Sequence, residues 1–206
     1  MQLEPIEIQG KIAMYPLIRL NHLHLITPLL LLILSLLSCA GKGPQLSPEQ
    51  ITQAKQLYEE GQRLYQGGYF IQASQAFRQA AEIGYPESQF QLAQMLYNGE
   101  GVYQRDSTEA AKWYQKAAEQ GQAAAQYYLG ALYKVGSGVS KDLIQAQYWF
   151  DKSAQQGYRD AQLSLGVNYF KGEGVNKDLQ KAKYWLTQAA QQGSEEAATA
   201  LREWGL

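Results

Sequence analysis

Apolar and small residues recur along this chain on a period much longer than a helical turn. From Ala125 to Gly157 the order is A-x-x-x-L-G-x-x-Y-x-x-G-x-G-V-x-x-D, then A-x-x-W and a closing glycine. The same positions return 36 residues later, from Ala161 to Gly193, with Leu165-Gly166, Tyr169, Gly172, Gly174-Val175, Asp178, Ala182 and Trp185. An earlier copy holds Leu92, Gly99, Gly101-Val102, Asp106, Ala110, Trp113 and Gly121, with one extra residue before its aspartate. Self-similarity at such a period marks stacked supersecondary units. In each copy the Leu-Gly segment and the Ala-x-x-Trp segment carry helical spacing. The pattern therefore predicts helix A, a glycine loop and helix B, three times over.

The flanks extend the pattern. Ser47-Pro48-Glu49-Gln50 reads as a helix start, with a capping serine, a first-turn proline and a capping box through Gln50. Leu57, Gly61, Leu64 and Tyr65 follow at helical spacing, and Gly67-Gly68 ends that helix. A second helix carries Ala73, Phe77 and Ala80 and ends at Gly84. Beyond Gly193, Ser194 caps a last helix with Ala197 and Leu201 in register. Arg202 stands there in place of the Leu-Gly glycine, as expected of a terminal capping helix with no B helix to receive.

Each repeated residue has a structural assignment. Asp106, Asp142 and Asp178 open the B helices, where a carboxylate accepts from free backbone N–H groups. Asp106-Ser107-Thr108-Glu109 adds a second capping box. Gly121, Gly157 and Gly193 close the B helices. The loop glycines of Gly99-Glu100-Gly101, Gly136-Ser137-Gly138 and Gly172-Glu173-Gly174 allow positive φ. On helix B the rings of Trp113, Trp149 and Trp185 alternate with small neighbours, which is core packing. The G-x-G loops follow no strand and do not run directly into a helix, so they are not phosphate cradles.

Leu57, Gly61, Leu64, Ala73, Phe77 and Ala80 resemble a tetratricopeptide repeat, and the three later units resemble Sel1-like repeats, its longer-looped relatives. The first Sel1-like copy departs from the pattern with Ala93 for glycine and Leu96 for tyrosine. The resemblance implies an all-α, right-handed α-solenoid of helical hairpins with a C-terminal capping helix. Its parts are a tetratricopeptide-like repeat over 48–84, Sel1-like repeats over 85–121, 122–157 and 158–193, and the cap over 194–206. It further implies a concave groove lined by the A helices, at positions three before the Leu-Gly glycine and one and four after it. Those are Tyr58, Gln62 and Tyr65; Phe90, Gln94 and Tyr97; Tyr127, Ala131 and Lys134; and Leu163, Val167 and Phe170. The same rings could instead be taken up by packing between neighbouring A helices.

The N-terminal 47 residues have another character. The run 29–37 is apolar apart from Ser35, short for a bilayer span and right for a signal-peptide core. Leu36-Leu37-Ser38-Cys39 resembles a bacterial lipobox, with Leu37 the less usual residue. That resemblance implies a signal peptide over 1–38, lipid on Cys39 and a lipidated tether over 39–47. Ala40 after the cysteine implies an outer-membrane lipoprotein facing the periplasm. Met14 offers an alternative start with a more basic leader. His22 and His24 fall in the removed segment, so they make no metal site.

Composition narrows the function. The 206 residues carry a formal net charge of -1, with no basic excess for nucleic acid. The single cysteine and the lack of histidine after His24 leave the repeats without the usual nucleophile, base or metal ligand. Glu59-Glu60 and Glu195-Glu196 are helix neighbours that point apart, unlike a glycosidase pair. The expectation is a non-enzymatic scaffold with no cofactor and no metal. Its partner is an unknown protein or peptide bound in the groove, and it meets the membrane through its lipid alone. A cell-wall-associated regulator acting through another face, and less favourably a cell-wall hydrolase, are the alternatives.

Overall fold

The computed structural model describes residues 46–102 and 104–206. The expected signal peptide, Cys39 and most of the expected tether lie outside the described residues. Nine helices and no strand occur among the described residues. They are α1 (Pro48–Gln66), α2 (Phe70–Ile83), α3 (Pro86–Asn98), α4 (Ser107–Glu119) and α5 (Ala123–Val135). Then come α6 (Leu143–Gln155), α7 (Arg159–Lys171), α8 (Leu179–Gln191) and α9 (Glu195–Glu203). Each helix packs chiefly on the next in the chain, so α1/α2, α3/α4, α5/α6 and α7/α8 are four hairpins and α9 closes the row. The odd-numbered helices are the A helices and the even-numbered ones the B helices. The unit from Pro44 to Leu206 is compact and carries three buried clusters of its own.

Helix starts follow the local chemistry. Ser47 Oγ accepts from Gln50 N–H at 3.2 Å, and Ser47 N–H donates to Gln50 Oε1 at 2.9 Å, completing the capping box. Asp142 and Asp178 each accept from two backbone N–H groups at the starts of α6 and α8. At Asp106 only half of the expected box forms. Its carboxylate accepts from Thr108 and Glu109 N–H, but its own N–H donates to Leu96 O at 2.9 Å. Glu109 is taken elsewhere: Arg78 Nη1 and Trp113 Nε1 donate to it at 2.7 and 3.2 Å. A charge-assisted bond to the preceding hairpin outcompetes the local one.

Close approach holds each hairpin shut. A methyl group on Gly61 would lie 2.7 Å from the Phe77 ring, on Gly130 2.9 Å from Phe150, and on Gly166 2.5 Å from Leu186. The side chain that fills the space before each Leu-Gly glycine is thus the residue after the tryptophan. Tyr114, Phe150 and Leu186 are at most 2% exposed, and Ala93 stands at the corresponding small position before Tyr114. The tryptophans sit further out. Trp113 and Trp149 are buried, whereas Trp185 is half-buried and packs against the cluster of Phe150.

The second loop glycine joins one hairpin to the one before. A Cβ on Gly101 would fall 2.0 Å from Phe70 O, on Gly138 2.0 Å from Ser107 O, and on Gly174 2.5 Å from Leu143 O. Each loop therefore lies with its backbone against the start of the preceding B helix. Val102 and Val139 then pack on the core.

A ladder of glutamines repeats beside these contacts. Gln89, Gln126 and Gln162 are buried, and each Nε2 donates to the backbone O of Ala81, Ala118 or Ala154 in the previous B helix, at 3.2, 3.0 and 3.3 Å. Each Oε1 accepts from Gln120, Gln156 or Gln192 at 2.8 Å. A buried amide satisfied on both ends ties three consecutive helices together.

Candidate functional site

The face expected to line the groove is built from three rows on the A helices. In the first row, Tyr58 meets Phe77 at 5.8 Å and Tyr85 at 5.5 Å, centroid to centroid. Phe90 meets Tyr114 at 5.9 Å and Tyr128 at 5.7 Å. Tyr127 meets Phe150 at 5.7 Å, Tyr128 at 5.3 Å and Tyr158 at 5.3 Å. Leu163 packs on the cluster of Leu186 and Ala197. These side chains are half-buried. Each ring wedges between its own B helix and the next hairpin, and these three rings do not contact one another.

Burial is the main cause that raises the hydroxyl pKa values of Tyr58, Tyr127 and Tyr114 above the ordinary tyrosine value, and Tyr158 is pushed up to about 12. Burial thus favours the neutral phenols at these positions, where the rings pack against neighbouring tyrosines.

The second row is lighter. Gln62 is exposed and its Nε2 donates to Tyr58 Oη at 2.9 Å, Gln94 and Val167 are half-buried, and Ala131 packs on the cluster of Phe150. The third row ends the A helices. Tyr65 is exposed, lies edge-on to Phe70 at 5.1 Å and donates to Glu100 Oε2 at 2.7 Å. The Arg105 guanidinium sits 4.3 Å over Tyr97. Lys134 Nζ donates to Asn168 Oδ1 at 2.9 Å and pairs with Glu173 at 3.0 Å, which holds that carboxyl below the usual glutamate range. Phe170 stacks on Trp204 at 3.9 Å and 11°. Of the twelve positions of the candidate face, Gln62 and Tyr65 are exposed and the other ten are half-buried.

Three rings of this face escaped the sequence reading. Tyr85 and Tyr158 each follow a helix-ending glycine and fold back onto the first-row ring of the previous A helix. Tyr128 stacks on Tyr114 at 5.5 Å and 9°. The recurring Gly-Tyr pair was the signal for the first two; at the corresponding place between them Gln122 stands, and Tyr128 fills the space. Among the described residues no group of three His, Cys, Asp or Glu side chains could hold a metal ion.

Hairpins stacked through backbone-close loops, a glutamine ladder and interlocking rings define an all-α helical-repeat solenoid. The Sel1 repeat model matches residues 86–122, 123–158 and 159–194, and the chain belongs to the Sel1 repeat family. It is similar to c5321, a protective antigen of uropathogenic Escherichia coli strains displaying an SLR fold. Identity is 36% over 83% of this chain and 35% of that one, with a TM-score of 0.69. A Sel1 repeat protein from Oxalobacter formigenes is 38% identical, over 68% of this chain and 57% of that one, with a TM-score of 0.64. The exopolysaccharide production negative regulator of Rhizobium leguminosarum bv. viciae is 42% identical over 65 residues, 32% of this chain and 24% of the relative. The chain thus spans about a quarter of that curated relative and about a third of c5321. Sel1 repeat proteins generally mediate protein–protein interaction.

Proposed function

We propose that this protein is a non-catalytic binding scaffold, anchored by lipid at Cys39 in a bacterial envelope, that holds a protein or peptide partner on its A-helix face. One observation carries the binding surface. The repeated aspartates, glycines, glutamines and inner rings are all occupied in capping, packing or the ladder, whereas Gln62, Tyr65 and Tyr97 present polar and aromatic edges that the frame does not fully cover. Such side chains offer contact area at low entropy cost. Because Tyr127 and Phe90 also wedge hairpins together, the discriminating substitutions are Tyr65→Ala and Gln62→Lys. Crosslinking in cells followed by partner identification should give a partner whose capture falls about tenfold in the double variant, the loss of a hot-spot contact. Undiminished capture by a folded double variant sinks the A-helix face.

The anchor has its own test. Labelling with palmitate should disappear in Cys39→Ala, and labelling that persists refutes lipidation at this residue. A regulatory role through the B-helix face is the second reading. It is supported by likeness to the Rhizobium regulator and by exposed Tyr148 and Tyr184, which stand 36 residues apart on α6 and α8. Partner capture lost in Tyr148→Ser with Tyr184→Ser, and kept in the Tyr65 and Gln62 variant, selects it.

A further inference from the structure

The A-to-B loops and the helix ends beside them form one edge of the molecule, and the B-to-A turns form the other. The two edges differ in chemistry. Exposed large apolar side chains gather on the loop edge: Tyr69, Phe70 and Ile71 on the first hairpin, Val135 and Ile144 on the third, and Leu179 on the fourth. Ile71 is 64% exposed, Val135 67% and Ile144 73%. Between them the loops of the second, third and fourth hairpins each present one cation immediately before the capping aspartate: Arg105, Lys141 and Lys177, all exposed. None of these three makes an ion pair among the described residues.

The acids of the same edge keep their negative charge, so this edge is near charge balance, although most of these carboxylates are hydrogen-bonded. Asp106, Asp142 and Asp178 accept from the backbone N–H groups they cap. Glu100 accepts from Tyr65 and Asn98, and Glu173 is held by Lys134. The opposite edge is acidic. It carries Glu49, Glu82, Glu87 and Glu119, then Asp160, Glu195 and Glu196, against Lys116, Lys152 and Arg159, the last bound to Asp160, so acids outnumber cations there. Of the exposed large apolar side chains only Ile51 lies near that edge.

We infer that the loop edge rests on the surface of an anionic lipid bilayer. Exposed tyrosine and aliphatic tips interleaved with exposed cations, Arg105 lying over Tyr97 and Lys177 over Phe170, match a headgroup layer, where rings and apolar side chains enter the interface and cations meet negative charge. The acidic opposite edge is repelled, so the charge asymmetry sets the orientation. No helix among the described residues is long and apolar enough to cross a membrane, so this contact is superficial. It does not depend on lipid at Cys39, and it departs from the expectation that lipid alone brings this domain to the membrane. An anchor there is compatible with it. Seven residues lie between Cys39 and Ser47, eight Cα-to-Cα steps. Extended, they span about 28 Å, which equals the roughly 28 Å length of α1.

The test uses residues 44–206, the compact unit with its own cores, floated with vesicles of phosphatidylglycerol and phosphatidylcholine at physiological salt. Binding to the mixed vesicles and not to phosphatidylcholine alone is expected. It should fall at least about tenfold when Arg105, Lys141 and Lys177 are all changed to Gln, and likewise in Ile71→Ser with Ile144→Ser. Circular dichroism confirms that these surface variants fold. Absence of binding to the anionic vesicles, or binding equal in the triple variant, overturns the inference. Binding to a polyglutamate peptide that depends on the three cations, without vesicle binding, assigns the edge to an acidic protein segment and also overturns it. Partner capture on the A-helix face is read separately by crosslinking, so either result can fail alone.

Discussion

At the scale of single residues, two glycines with the same backbone preference have opposite surroundings. Gly68 (φ 80°) has nothing within 4 Å of where a Cβ would go, whereas on Gly101 (φ 64°) a Cβ would meet the Phe70 carbonyl at 2.0 Å. Gly68→Ala should cost about 1 kcal/mol, the strain of a left-handed alanine. Gly101→Ala adds a backbone clash that only separation of two hairpins relieves, and should cost more than about 2 kcal/mol. Urea unfolding of both variants measures the difference. The glycine pairs were legible as loop formers from spacing alone. That the second glycine of each pair is a docking surface for the previous hairpin was not, since nothing local marks the approach of Phe70, Ser107 or Leu143.

At the scale of the element, the glutamine ladder shows how helices that carry polar interior residues stay together. Gln126→Ala removes a donor to Ala118 O, which keeps Gly121 N–H at 3.0 Å, and the acceptor for Gln156 Nε2, which is left unpaired. The expected cost is about 1 kcal/mol. Gln126→Ala combined with Gln156→Ala should cost less than the sum of the two single changes, and a double-mutant cycle in urea checks it. The ladder was written in the chain as Gln-Gly at Gln120, Gln156 and Gln192 and as Gln four before each Leu-Gly glycine or its alanine. It passed unread because polar residues at helical spacing look like a solvated face until the partners are known. The same blindness affected the tryptophans. Their repetition singled them out, yet Tyr114, Phe150 and Leu186, which vary in type, fill the deeper space because the glycine opposite accepts any bulky side chain of suitable shape.

At the scale of the whole molecule, pH should act from both ends. Glu109 and Glu173 have pKa values lowered mainly by hydrogen bonds from Arg78 and Lys134. Their stabilisation is present above the unfolded glutamate pKa and lost as pH falls through the folded values, so thermal stability should drop in acid below about pH 4. Both carboxylates are partly exposed, and the effect is small. The buried tyrosines act in the other direction. Their raised pKa values keep them protonated in the fold while the unfolded chain ionises from about pH 10. That stability is full below the unfolded value and is lost as pH rises toward the folded ones, about 12 for Tyr158. Alkaline unfolding followed by helicity should therefore coincide with the rise of tyrosinate absorbance. Separate ionisation ahead of unfolding would show that the rings are not held as the structure has them.

The repeat period, hairpin order, most caps and the terminal helix were determined by the sequence itself, because capping, loop geometry and helical spacing are short-range and leave fixed residues at fixed offsets. The tertiary structure decided what those residues meet. It set the first-row rings of the A helices half-buried against their own B helix and the next hairpin, halved the capping box at Asp106, left Trp185 partly uncovered and brought the loop cations onto one edge with the exposed apolar tips. These outcomes depend on which side chain arrives from 30 or more residues away, and a pattern within one repeat does not hold that.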